Sequence, residues 1–180
     1  MSNHIIKKTI SLPENCTYQI KEKGVLLKFN QGVDLNLVWI HLIVEIENNQ
    51  LVLSYLKKWE SLASPIVTTW TNLIKKYAQN PLYSYVVKPL SKHFPIILGI
   101  QGKTITVFNY LGLKKTFYVH LHNVQTLELK NKEIHLTSAN DIITGSDLNM
   151  LKAIRYKTHH RKLDRRIFTD GFLIQKTCSI

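Results

Sequence analysis

The feature that most constrains this chain is that it says the same thing twice. Val44–Leu53 reads VEIENNQLVL and Leu127–Leu136 reads LELKNKEIHL. At an offset of 83 residues Glu45 meets Glu128, Asn48 meets Asn131, Leu51 meets Ile134 and Leu53 meets Leu136. Each segment reads as two alternating strands joined at an Asn-containing turn, the signature of a hairpin. Upstream, LLKFNQG (Leu26–Gly32) is matched by ITVFNYLG (Ile105–Gly112), and Leu12-Pro13 by Phe94-Pro95. Downstream, each half leads into a helix. Starts are expected at Ser64-Pro65 and at Ser146-Asp147, where serine caps and Pro or an acid opens the first turn. Ile66, Val67, Trp70, Leu73, Ile74 and Tyr77 form one face of the first helix, and Leu148, Leu151 and Ile154 one face of the second. The expected fold is α+β: two tandem, internally duplicated domains, each an antiparallel-rich sheet with one packed helix. The domains are expected at residues 1–83 and 84–180.

With 180 residues, 44% of them hydrophobic and 20% charged, the chain has the composition of a folded protein. Its most apolar run, LVWIHLIVEIE from Leu37, is interrupted by His41 and Glu45, alternates like a strand, and is too short for a membrane span. The first residues, MSNHIIKKTISLPEN, carry neither a secretory h-region nor the Arg-rich pattern of a transit peptide, so a cytoplasmic location is expected. Cys16 and Cys178 are expected as reduced thiols.

Charge is concentrated in one place. Seven basic residues (Lys152, Arg155, Lys157, Arg161, Lys162, Arg165 and Arg166) and one acid, Asp164, fall within fifteen positions, a local +6 in a chain of net +12. Self-repulsion makes such a cluster costly unless an anion neutralises it. A sequence pI near 9.7 points to nucleic acid or an anionic membrane surface as that anion. The arginine fork suits bidentate contact with phosphate, while Tyr156, His159 and His160 offer flat surfaces to unstacked bases. Nothing in the cluster is suited to reading base identity, so the expected recognition is of RNA shape and backbone.

Other chemistries lack their parts. Gly102-Lys103-Thr104 resembles the end of a phosphate-binding loop, but Ile97 stands where its first glycine is needed and a strand-like TITVFN follows in place of a helix. His120 and His122 are spaced to project together, yet neither cysteine has a ligand-pair spacing, so no metal is expected. No catalytic constellation, cofactor or small-molecule substrate is indicated.

Seven further pieces occur in order along the chain: LPEN from Leu12, LKKW ending at Trp59, NLIKK from Asn72, HFPI from His93, NYLGLK from Asn109, Asn140-Asp141, and LDRRIFTDG from Leu163. Together they resemble the large-subunit ribosomal protein family numbered six in bacteria and nine in the eukaryotic series, in its eukaryotic and archaeal form. The resemblance runs nearly end to end. It implies two α+β domains from a duplication, and a structural rather than enzymatic role in the cytosolic large subunit. It further implies binding to large-subunit ribosomal RNA near the sarcin–ricin loop and stalk base, beside other ribosomal proteins and close to translational GTPases. By the same resemblance RNA contact falls to Arg155, Arg161, Lys162, Arg165 and Arg166, with Lys114 and Lys115 beside the Gly112 turn as further candidates. The first-domain loop departs from the family pattern Gly-Pro-Arg/Lys-Gly: Phe29-Asn30-Gln31-Gly32 keeps only the last glycine. A free-standing RNA-binding regulator or assembly factor on the same fold is the alternative.

Overall fold

The computed structural model describes residues 4–158 and 169–179. The chain divides after Pro81 into two compact units. The first contains β1 (Ile5–Ser11), β2 (Cys16–Lys21), β3 (Gly24–Phe29), β4 (Val33–Val38), β5 (Ile43–Glu47) and β6 (Gln50–Leu56), followed by a 3-10 turn at Lys57–Trp59 and α1 (Glu60–Ala78). The second contains β7 (Leu82–Leu90), β8 (Ile97–Gln101), β9 (Thr104–Phe108), a 3-10 turn at Tyr110–Gly112, β10 (Phe117–His120), β11 (Thr126–Lys130) and β12 (Glu133–Ser138), then α2 (Asp141–Thr158) and β13 (Gly171–Ser179).

Two antiparallel sheets build each unit, and the duplication extends to their strand order. The first unit has β1-β6-β5 and β2-β3-β4; the second has β11-β12-β7-β13 and β10-β9-β8. Register follows as well: Leu53 pairs with Val44 as Leu136 pairs with Leu127, and Leu51 with Ile46 as Ile134 with Leu129. The addition in the second unit is β13, which lies along the outer edge of β7.

The two hairpins that carry the repeat close on residues with positive φ at both central positions, Asn48 (47°) and Asn49 (60°) in one, Asn131 (50°) and Lys132 (66°) in the other. That is the turn geometry that matches strand twist, and Asn tolerates it better than most residues. Gly102 (φ 59°) and Lys103 likewise form a tight turn between β8 and β9, with a strand and not a helix after the lysine.

Leu51, Val52, Leu53, Ser54 and Tyr55 of the central strand β6 are all buried, and α1 packs on that strand through Ala63, Val67, Trp70, Ile74 and Tyr77. In the second unit Ile134 and Leu136 share one core with Leu148, Leu151 and Ile154 of α2. Each such side chain contributes about 1.5–3 kcal/mol by leaving water.

Three expectations are corrected. Helix α1 starts at Glu60, directly from the 3-10 turn, so Pro65 lies inside it rather than opening it. Helix α2 starts at Asp141, five residues ahead of Ser146, because Asn140 provides the cap: its Oδ1 accepts the N–H groups of Ile142 and Ile143, both at 3.2 Å. The run from Leu37 is not one strand. It breaks at residues 39–42, since β4 ends in one sheet and β5 begins in the other. Cys16 and Cys178 are free thiols, and burial pushes the Cys16 thiol up. Among the described residues no helix is long and apolar enough to cross a membrane.

Candidate nucleic-acid interface

Charge is divided unequally between the units. The first has nine basic and six acidic residues, +3; the second has 15 basic and six acidic, +9. An anionic partner is therefore drawn to the second unit.

Helix α2 carries three of the candidate residues, Lys152, Arg155 and Lys157, and its position is fixed at several points. It packs on β10 and β13. Asp147, buried on α2, accepts the backbone N–H of His122 at 2.8 Å, and its other oxygen lies 3.0 Å from His122 Nδ1. At the helix start, Ser138 Oγ donates to the Asn123 carbonyl, and the hydroxyls of Thr144 and Ser138 bond at 2.7 Å. Lys176 of β13 reaches back to Asp141 Oδ2 at 2.8 Å, its ammonium 4.5 Å from the Tyr83 ring centre. The Tyr85 hydroxyl donates to the Asp141 carbonyl across 3.4 Å. Burial, with the Asp141 carboxylate beside it, pushes the Tyr85 hydroxyl up to about 12.

None of these anchors was legible as such. Asp147 was expected at the helix start, and it is instead a long-range acceptor two turns into α2, beside buried Leu148. Its partner is 25 residues away in sequence, and local spacing carries no signal of it.

Of the predicted RNA contacts, Lys152 is exposed on α2, off the face formed by buried Leu148, Leu151 and Ile154. Arg155 and Lys157 fall within the same helix. Lys114 and Lys115 are exposed in the segment that leads into β10, with Lys115 Nζ 5.5 Å from the Phe117 ring centre. His159, His160, Arg161, Lys162, Arg165 and Arg166 lie outside the described residues. Further along, Asp170 is buried and its Oδ1 accepts the N–H of Lys92 at 3.0 Å, which pins the start of β13. His120 and His122 do stand together, ring centres 5.1 Å apart. His122 is tied to Asp147 and His120 Nδ1 lies 3.2 Å from Thr104 Oγ1. Among the described residues no cluster of three or more His, Cys, Asp or Glu is arranged around a metal position.

The fold and charge define a class: an internally duplicated α+β protein of two units whose second unit is strongly basic. No protein-family model matches the chain. It is 24% identical over 177 residues to large ribosomal subunit protein uL6 of Methanosarcina mazei, covering 95% of this chain and 97% of that one. Over 180 residues it is 28% identical to the protein of the same name from Nanoarchaeum equitans, covering 93% and 91%. The uL6 of Saccharolobus solfataricus is 23% identical over 187 residues, covering 96% and 95%. At 23–28% identity, the likeness to these uL6 proteins runs along nearly the full length of each.

Proposed function

We propose that this chain is a structural constituent of the large ribosomal subunit. It would hold large-subunit ribosomal RNA through Lys152, Arg155, Lys157 and the basic residues that follow as far as Arg166, near the sarcin–ricin loop and stalk base of the cytosolic ribosome. Its neighbours there are other large-subunit proteins, with translational GTPases docking close by. The observation that carries this reading is the end-to-end likeness to uL6 proteins in a chain whose second unit holds +9 of the +12 net charge. The role is structural, not catalytic: a packed helix held at both sheet and cap presents its charges to phosphate, and rigidity reduces the ordering cost of binding.

Sedimentation tests it. A tagged copy expressed in its own cells should appear at about one per large subunit in large-subunit and monosome peaks, and remain there at ~0.5 M salt despite the weakening of exposed phosphate contacts. A tag confined to light fractions or to pre-ribosomal particles overturns the reading in favour of a free-standing regulator or an assembly factor.

A further inference from the structure

The two repeats differ on the side of the sheet that faces away from the helix. In the second unit this side is polar, and the cross-strand partners Thr126 and Thr137 bring their hydroxyls to 2.7 Å. The equivalent partners in the first unit are Ile43 and Ser54. Isoleucine offers no hydroxyl, and Ser54 Oγ, on a residue only 5% exposed, has no hydrogen-bond partner among the described residues. A buried unpaired hydroxyl is destabilising, and natural structures hold few of them.

Ser54 lines a hollow of about 390 Å³ together with Ile5, Lys7, Ile40, Ile43 and Trp59. The isoleucines are unusually open to solvent, at 53, 73 and 61% exposure for Ile5, Ile40 and Ile43. His41 stacks flat on Trp59, ring centres 4.3 Å apart, and stiffens that wall. The adjoining sheet edge is also unfilled. Along β7, β13 pairs from Leu82 to Leu90; along the corresponding edge of β1 no strand pairs among the described residues. Lys7 and Lys8 lie on that strand, both exposed. Two lysines there oppose the antiparallel pairing of a second β1 and complement a strand bearing carboxylates.

We propose that the open edge of β1 and the hollow beside it dock an extended segment of a partner protein. The segment adds to the sheet as β13 does in the second unit. It drops an apolar side chain with a polar tip into the hollow, where the tip pairs with Ser54, and on its other face sets carboxylates against Lys8. Main-chain pairing supplies affinity and the hollow supplies selectivity. Glu45, which lines the same hollow, and the first unit's modest +3 disfavour a phosphate backbone at this place. The inference does not rest on RNA binding by the second unit.

The test is selection of random octapeptides displayed on phage against the full chain, followed by amide hydrogen exchange with each enriched peptide. The expected peptides alternate apolar and acidic residues and slow exchange along β1 at least tenfold at saturation. Ile43→Glu, at an exposed position of β5, and the pair Lys7→Glu with Lys8→Glu should each weaken them tenfold or more while the thermal unfolding midpoint is retained. If either variant fails to fold, the other decides. The proposal is overturned by selection with no enrichment, by peptides that bind both variants as well as the parent, or by unchanged β1 exchange. It is equally overturned if β1 becomes protected through self-association of the chain, or by a single-stranded oligonucleotide in place of a peptide.

Discussion

Gly112 shows what one missing side chain does in this fold. Its φ is +76°, and a Cβ there would stand 3.1 Å from the Phe94 ring. Gly112→Ala should therefore cost about 1–2 kcal/mol, from left-handed backbone strain and a displaced ring, read as a lower denaturation midpoint with unchanged slope. The matched Phe-Asn segments made this turn readable, because each repeat follows the pair with glycine at the same point of the strand order. Asp147 was not readable in that way. Its sequence position suggested a helix-opening acid, whereas its two oxygens serve the backbone N–H and the ring of His122. Asp147→Ala strands a backbone donor and should cost roughly 2 kcal/mol, more than Asp147→Asn, which keeps an acceptor. Equal losses for the two variants would remove the hydrogen bonds from the explanation.

Strands and turns were legible at the element scale, helix starts less so. Hairpins announce themselves by alternation and by Asn at positive φ, both local properties. Where a helix begins depends on which of several cap-forming residues wins, and in α2 the winner is Asn140, seated among Ser138, Thr144 and Asn123. Asn140→Ala should lower stability by about 1 kcal/mol and speed amide exchange at Ile142 and Ile143 before the rest of α2. The same helix start gives the molecule an alkaline limit. The Tyr85 proton is held up to about 12, against about 10 for tyrosine in an unfolded chain. The native state binds that proton more tightly, so its stabilisation is complete below about pH 10 and is lost as the pH rises through about 12. Denaturant midpoints measured across that window should fall less steeply in Tyr85→Phe than in the parent. Parallel curves would mean that another group governs the alkaline limit. Neither the Tyr85 contact nor the open edge of β1 could be read from sequence, because both depend on what lies beside a strand rather than along it.

For the whole molecule, the partition of charge separates what the two units do. A duplication begins with two similar surfaces; here one has come to carry +9 and the other +3, with an apolar face left open. The charge excess was visible in the sequence as the cluster from Lys152 to Arg166, and the division expected at residues 83 and 84 gives the same +3 and +9 as the boundary after Pro81. If about five of those side chains neutralise phosphates, the logarithm of the RNA affinity should fall against the logarithm of salt concentration with a slope of roughly −3.5 to −4.5. Replacing Arg161, Lys162, Arg165 and Arg166 together by Ala should flatten that slope by roughly 3, since each phosphate contact removed retains one counterion. The folded state should survive this change, because removing four like charges relieves mutual repulsion. A slope unchanged in a variant that still folds would move the phosphate contacts to other lysines of the second unit, with Lys114, Lys115 and Lys152 the first to be replaced.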